Sequence, residues 1–500
     1  MKRFFKSIAI TVSAAAILVS CDMNLVPINS ITYEEGGQLI QTQANLNALE
    51  NGILSSFRSI QMGEYVITSE LMMDGFNATL DYGNNYGGIH RATANDFTSG
   101  DYYVQDYWHY NYTAIKNYNV LIAAAETANE EIKDNVNVVL GEALFFRAMS
   151  YLNLARHFGK AYNASSAATD LCVPLVLVYD QAEKPARATV AEVYAQIKKD
   201  LDQAAGLLAG VKGAARAEKP TIDAVNALYA RYYIDLGDYT NAAAYAHKVI
   251  DSQTYKLAST AAEMEAEFVN DKGTEPIYQV YGNLSTEGTN ANGLWTYYTS
   301  DPTYGQVFKP YYIPTQKLID SYDADDLRLQ AWFNDTEVVQ INGTYYQGSF
   351  YVFSKFWGNP TLTSSLRNGR QLPKPLMIGE MYLIAAEAEL SSNPTAAKED
   401  LNTLQAARGA AETEATVETV RKEWFRETVG DGLRMVTMKR WGLGYDGRPM
   451  QPGAANALNQ GTDYEQKVLP ASDHHFCWPV PSYEMNINKN LVQNPGYADL

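Results

Sequence analysis

The sequence predicts a mostly α-helical scaffold of antiparallel helix pairs, interrupted by long loop-rich insertions and one small β-hairpin. Three observations carry this expectation. Apolar residues recur at helical spacing in blocks spread over both halves of the chain. Between the blocks lie stretches without helical period, at about 281–313, 354–376 and 443–479, which are too long for ordinary connections. A separate segment holds Asn342-Gly343 between two strand-like runs, a strong hairpin signal. At 500 residues, 46% apolar and 19% charged, the chain has ample material for a core, which excludes wholesale disorder and collagen-like repeats.

The elements follow in order. From about Gln38 to Arg58 apolar and polar residues alternate at helical spacing, followed by Glu70-Leu71-Met72-Met73-Asp74 and a Gly/Asn/Tyr-rich loop from Gly75 to Gly100. A second block starts near Trp108, where Trp108, Tyr112, Ile115, Asn119 and Ile122 fall on one face. Glu142 to Phe158 repeats the pattern along Ala143, Phe146, Ser150 and Leu154, with Gly159 at a C-cap position. Ala224 to Ile250 is the clearest helix pair: Ala224, Leu228, Ala230 and Tyr233, the turn Leu236-Gly237-Asp238-Tyr239, then Ala242, Ala243 and Ala246. Small residues at those places let the two helices approach closely, and the unit resembles a tetratricopeptide repeat. Glu380 to Leu390 runs through Asn393-Pro394 into a helix from Ala396 to Arg408. Glu337 to Ile341 and Thr344 to Gln347 flank Asn342-Gly343, where a type I′ turn needs positive φ at both central residues.

Residues 1–20 read as an export signal: Lys2, Arg3 and Lys6 precede a twelve-residue apolar run, Ile8 to Val19, which is too short to span a bilayer. No later stretch is expected to reach transmembrane length. The segment ends Leu18-Val19-Ser20-Cys21, which resembles the lipobox of bacterial lipoproteins and makes Cys21 the expected lipid anchor. The expected organisation is thus a signal at 1–20 and a single body at 21–500. Its helical scaffold covers about 38–260 and 377–442, and its ligand-face insertions about 281–376 and 443–479. Cys172 and Cys477, far apart in sequence, are expected as two isolated buried thiols rather than a disulfide.

The formal charge is −18, and loss of residues 1–20 removes three cations and no acids, leaving −21. That balance argues against nucleic acid, whose phosphates need a surplus of Lys and Arg. The motifs GxxxxGK[ST], HExxH, GxSxG and SxxK are absent, so nucleotide hydrolysis, zinc proteolysis and the common serine nucleophiles lose their usual support. His474-His475 is expected to be an exposed loop pair and not a metal site, and Asp320, Asp323, Asp325 and Asp326 a helix cap with a solvated turn. No cofactor is expected. A glycosidase needs two flanking carboxyl groups, and no local motif picks out a pair.

Aromatic residues remain. Tyr (36) outnumbers Phe (16) more than twofold; part of the excess sits at helical spacing, as with Tyr112, Tyr151, Tyr229 and Tyr382, and the loop signal narrows to two nonperiodic stretches, about 76–100 and 281–313. An aromatic face covers the C–H side of a sugar ring while neighbouring amides bond its hydroxyls, and a peptide can use the same surface. The residues expected to contact ligand are Asn77, Tyr82, Tyr86, Asn292, Trp295, Tyr297 and Trp332. Trp108, at a helix start, is expected in the core.

Several segments together resemble the SusD/RagB family of outer-membrane nutrient-binding lipoproteins. The C-terminal Trp478-Pro479-Val480-Pro481-Ser482-Tyr483-Glu484 and Gln493-Asn494-Pro495-Gly496-Tyr497 are similar to that family's P-x-P-x-x-E and Q-N-P-G-Y. Arg147 to Gly159, Glu380 to Ala388 with Leu401 to Arg408, and Glu423 to Gly442 resemble further family segments, the last through Glu427, Gly432, Arg434, Arg440, Trp441 and Gly442. Trp424, Asp431 and Thr437 depart from that segment's usual Arg, Glu and Asp. The resemblance implies four tetratricopeptide-like helix pairs and a lipid anchor at Cys21. It also implies docking over a SusC-like TonB-dependent β-barrel transporter at the outer membrane, on the cell surface. The expected role is non-catalytic delivery of an oligosaccharide, with a peptide ligand of the same family or a surface glycoside hydrolase as alternatives.

Overall fold

The computed structural model describes residues 39–498 except positions 63, 82–85, 181, 286, 288–293, 295 and 363–368. The expected signal and Cys21 lie outside the described residues, as do Tyr82, Asn292 and Trp295.

Twelve longer helices carry the architecture: α1 (Gln43–Ser59), α2 (Glu64–Leu71), α3 (Tyr102–Glu126), α4 (Lys133–Phe158), α5 (Val190–Leu207), α6 (Ile222–Leu236), α7 (Tyr239–Ile250), α8 (Ala261–Val269), α9 (Ile378–Glu389), α10 (Pro394–Ala407), α11 (Val417–Glu427) and α12 (Arg434–Trp441). Their starts are written in the sequence. Thr42, Asp101, Thr189, Thr221, Asp238, Thr260, Asn393 and Thr416 each accept a first-turn amide, satisfying donors that the helix itself cannot. Successive packing of α3 on α4, α4 on α5, α6 on α7, α7 on α9 and α9 on α10 builds the expected mostly α scaffold. Gly237 ends α6 at φ 71°, and Ala224, Ala230, Ala242 and Ala246 are fully buried where α6 and α7 meet.

α4 is the centre. Residues 141–152 are buried without a break, and Arg147 turns its guanidinium onto Asp200 of α5 (2.8 and 2.6 Å) and Asn119 of α3 (2.8 Å), so one buried cation ties three helices. Glu130–Phe158 has the length and apolar content of a membrane span, contrary to the expectation that no later stretch would, but 83% of its most apolar window is buried inside the protein. Gly159 stands at the C-cap, as expected. It caps α4 with an extended backbone (φ −98°), and its lack of a side chain is required because a Cβ would lie 2.9 Å from both Cys172 Sγ and the Ala155 carbonyl. Cys172 and Cys477 are free thiols; Cys172 is buried, which pushes its thiol up to about 12, and Cys477 is half-buried.

The insertion at 281–376 is richer in strand than the sequence pattern indicated. Its four-stranded sheet runs in the order β1 (Tyr297–Asp301), β2 (Gly305–Lys309), β3 (Phe333–Ile341), β4 (Thr344–Phe353), antiparallel except for a parallel bridge between Phe308 and Val339. The β3–β4 hairpin turns at Asn342 (φ 49°) and Gly343 (φ 81°), as a type I′ turn requires. β1 escaped notice because none of its five residues is fully buried, so no alternation of apolar and polar residues marks it.

The motif residues turn out to be internal joints. Arg434 pairs with buried Asp74 (2.9 Å), Arg408 with Glu275 (2.7 Å) and Glu427, and the Trp441 indole donates to Glu387 (2.8 Å), which also meets Arg440. A Cβ on Gly432 would fall 1.9 Å from the Val66 carbonyl oxygen. Trp478 is fully buried among Phe97, Tyr107, His157 and Phe158, and the Asn494 amide donates to the carbonyls of Phe158 (2.8 Å) and Trp478 (2.7 Å). His475 is buried, not exposed as expected: its Nδ1 lies 2.6 Å from Asp473 and its ring packs against Phe97 and Tyr497. Asp326 caps the short helix Leu327–Trp332 as expected, yet it is fully buried against Arg328 (2.8 Å) and no part of a solvated turn.

Candidate functional site

The two aromatic stretches meet. Phe76–Ala78 pairs antiparallel with Tyr312–Pro314, Asn77 standing opposite Ile313, and the Thr79 amide continues the ladder onto the Tyr311 carbonyl (3.0 Å). On the far side Leu80 donates to Ala457 (3.0 Å), so the segment is held between two others and Asp81 emerges at its end. The β1–β2 hairpin sets Tyr297 opposite Lys309, whose Nζ lies 5.6 Å from the Tyr297 ring centre. Tyr311 follows two residues later, in the bend between β2 and Tyr312–Pro314. Asp81, Tyr297, Lys309 and Tyr311, all half-buried, line a cleft of about 170 Å³.

Its chemistry is that of a wet binding surface. Two phenol rings offer apolar faces, Lys309 offers donors and Asp81 acceptors. Asp81 is the one carboxylate lining it among the described residues, and the sequence at 82–85, 288–293 and 295 adds no acid. A second exposed platform stands at the other end of the hairpin. Tyr304 and Tyr345 lie 5.1 Å apart, the Tyr345 hydroxyl donates to Asp301 (2.6 Å), and the Gln347 amide donates to the Tyr304 hydroxyl (3.0 Å). The Tyr345 hydroxyl, with the amides of Thr303 and Tyr304, holds the Asp301 carboxyl below its ordinary value.

Of the other sequence candidates, Tyr86 is half-buried with its ring 4.5 Å from Tyr103, at a left-handed backbone position (φ 61°). Asn77 is fully buried, its amide reaching the Pro449 carbonyl (3.4 Å), and faces no solvent. Trp332 is 3% exposed, inside a second core with Phe268 and Phe356, and carries the Lys355 ammonium 4.3 Å from its ring. Asn77 belongs to a polar stretch, and one-sided burial within such a stretch leaves no mark in composition; Trp332 lies outside both aromatic stretches. Asp81, Lys309 and Tyr345 were not picked: the signal for Lys309 was its two-residue spacing from Tyr311, and for Tyr345 its place beside the type I′ turn. Trp332 also lines an open pocket of about 140 Å³, together with paired charges such as Arg231 with Glu380 and Lys355 with Asp431.

Comparison with known proteins agrees with this architecture. A family model described as "Starch-binding associating with outer membrane" matches residues 35–234, and one described as "SusD family" matches 251–497. SusD-like protein P2 of Formosa agariphila is 26% identical over 96% of this chain and 97% of its own. A SusD superfamily protein of Bacteroides thetaiotaomicron aligns with a TM-score of 0.74 at 23% identity over 91% of this chain and 100% of its own. Surface glycan-binding protein A of Bacteroides fluxus aligns at 0.70 and 19% identity, over 91% and 100%. The chain belongs to the SusD/RagB family.

Proposed function

We propose that this protein is a non-catalytic, lipid-anchored outer-membrane component that captures a neutral oligosaccharide at the cell surface and passes it to a TonB-dependent β-barrel transporter. The observation that carries the reading is the meeting of two sequence-distant aromatic stretches at the cleft of Tyr297, Tyr311, Asp81 and Lys309. Rings that cover sugar C–H faces, flanked by one cation and one carboxylate, suit hydroxyl-rich ligands. A single lining carboxylate suits binding better than hydrolysis, which needs two. The charge of −18 disfavours polyanionic ligands. A structural relative described as a surface glycan-binding protein adds support for the ligand class, and family membership supports the transporter partner and the anchor at Cys21.

Electrophoresis through gels containing soluble polysaccharides tests the reading. The native protein is expected to be retarded by one neutral glycan, and Tyr297→Ala or Tyr311→Ala to lose most of that retardation. Equal retardation of both variants would remove the cleft from consideration, and release of reducing ends would replace binding by hydrolysis.

A further inference from the structure

Away from the cleft, one cluster in the helical scaffold lacks an explanation. His247 lies in the last turn of α7, Glu389 closes α9 and Asp400 sits on α10, so three packed helices contribute one side chain each. His247 Nε2 is 3.4 Å from Glu389 Oε1 and 3.4 Å from Asp400 Oδ2, and the three ligand-type atoms lie within 4.8 Å of one another. The Asp400 side chain is 9% exposed and that of Glu389 14%; Asp400 Oδ2 and Glu389 Oε2 accept no hydrogen bond from a protein donor, and burial with the adjoining Glu389 carboxyl raises the Asp400 carboxyl to about 7.

The distances separate two explanations. A charge-assisted hydrogen bond between imidazolium and carboxylate closes to about 2.7–2.9 Å, well short of what is seen. Around a tetrahedral ion with nitrogen and oxygen ligands at about 2.0–2.2 Å, neighbouring ligand atoms are held roughly 3.3–3.6 Å apart. Both separations from His247 Nε2 fall in that range, and the two carboxylate oxygens lie within 4.8 Å of each other. Two carboxylates facing a single imidazole are also short of positive charge, and burying such oxygens without partners is costly. An imidazole ligand favours a borderline transition ion over calcium or magnesium, which prefer oxygen.

We propose that His247, Glu389 and Asp400 bind a divalent transition ion of the zinc type, with three protein ligands and a fourth position for water. The ion would clamp α7 to α9 and α10, far in role from ligand capture, and the assignment is independent of the proposed function.

The purified protein, stripped with EDTA and returned to metal-free buffer, is titrated with zinc by calorimetry and followed by thermal unfolding. One equivalent is expected to bind, with a Tm that climbs as zinc rises. His247→Ala and Asp400→Asn should lose both effects, while His474→Ala, at the other His/Asp cluster, should keep them. His247→Gln, at a position 30% exposed, serves if the Asp400 variant does not fold. No binding by the native protein, binding that survives His247→Gln, or binding lost in His474→Ala alone would overturn the assignment.

Discussion

Thr79 donates its hydroxyl to the Pro310 carbonyl at 2.9 Å, fastening together two segments 231 residues apart in sequence. Thr79 is fully buried, so its loss leaves a carbonyl without its donor. Thr79→Val is expected to cost roughly 1–3 kcal/mol in urea unfolding and to weaken glycan retention, with Thr79→Ser restoring both. Retention unchanged in a destabilised Thr79→Val would separate the fastening from the cleft.

The Tyr304–Tyr345 platform and the Tyr297 cleft sit at opposite ends of β1, which at about 3.4 Å per residue puts them roughly 13 Å apart. A single sugar cannot reach both. Tyr304→Ala with Tyr345→Ala is therefore expected to lower affinity for longer oligosaccharides and to spare the shortest ones that bind. Calorimetry over a length series decides it, since an equal loss at every length contradicts the spacing.

Glu70 is fully buried, and burial raises its carboxyl from 4.5 to about 7 against the opposing amides of Gly430 (3.3 Å) and Arg434 (3.4 Å). Between those values the folded protein holds a proton that the unfolded chain has released. Stability must then fall as pH rises through that window, by roughly 3 kcal/mol from this group. Glu70→Gln is expected to flatten the slope of unfolding free energy between pH 5 and 7. An unaltered slope would assign it to other groups.

Asp200 accepts two hydrogen bonds from Arg147 and is fully buried. Asp200→Ala strands that cation inside the scaffold, and a loss of about 3–5 kcal/mol is expected in denaturant unfolding. A loss below about 1 kcal/mol would mean that water reaches the guanidinium.

The scaffold was legible because caps, small-residue seams and turn glycines act over a few residues. Thr189, Ala242 and Gly237 each do locally what their type suggests. The family was legible for a different reason: Trp478, Asn494, Gly432 and Arg434 are buried joints whose partners tolerate little change. The same fact explains why those motifs say nothing about ligand. The site was legible only as two regions. Tyr297 and Trp332 are both sequence candidates, yet the first is half-buried at a cleft and the second 3% exposed between a core and a pocket, a distinction made by contacts with residues tens to hundreds of positions away. Lys309 and Asp81 become partners only through the pairing of Phe76–Ala78 with Tyr312–Pro314.

The unbroken burial of residues 141–152 explains how a helix of membrane-span length and apolar content serves a packed scaffold: the segment from Glu130 to Phe158 turns its apolar surface to other parts of the protein. Near its middle stand Glu142 and Arg147, and a charge such as Arg at a helix centre opposes insertion into lipid by roughly 2.5–3.5 kcal/mol. The cation that joins three helices in the scaffold therefore also sets this segment apart from a lipid-facing helix, and Arg147→Leu is expected to raise its tendency to enter a bilayer as well as to lose packing.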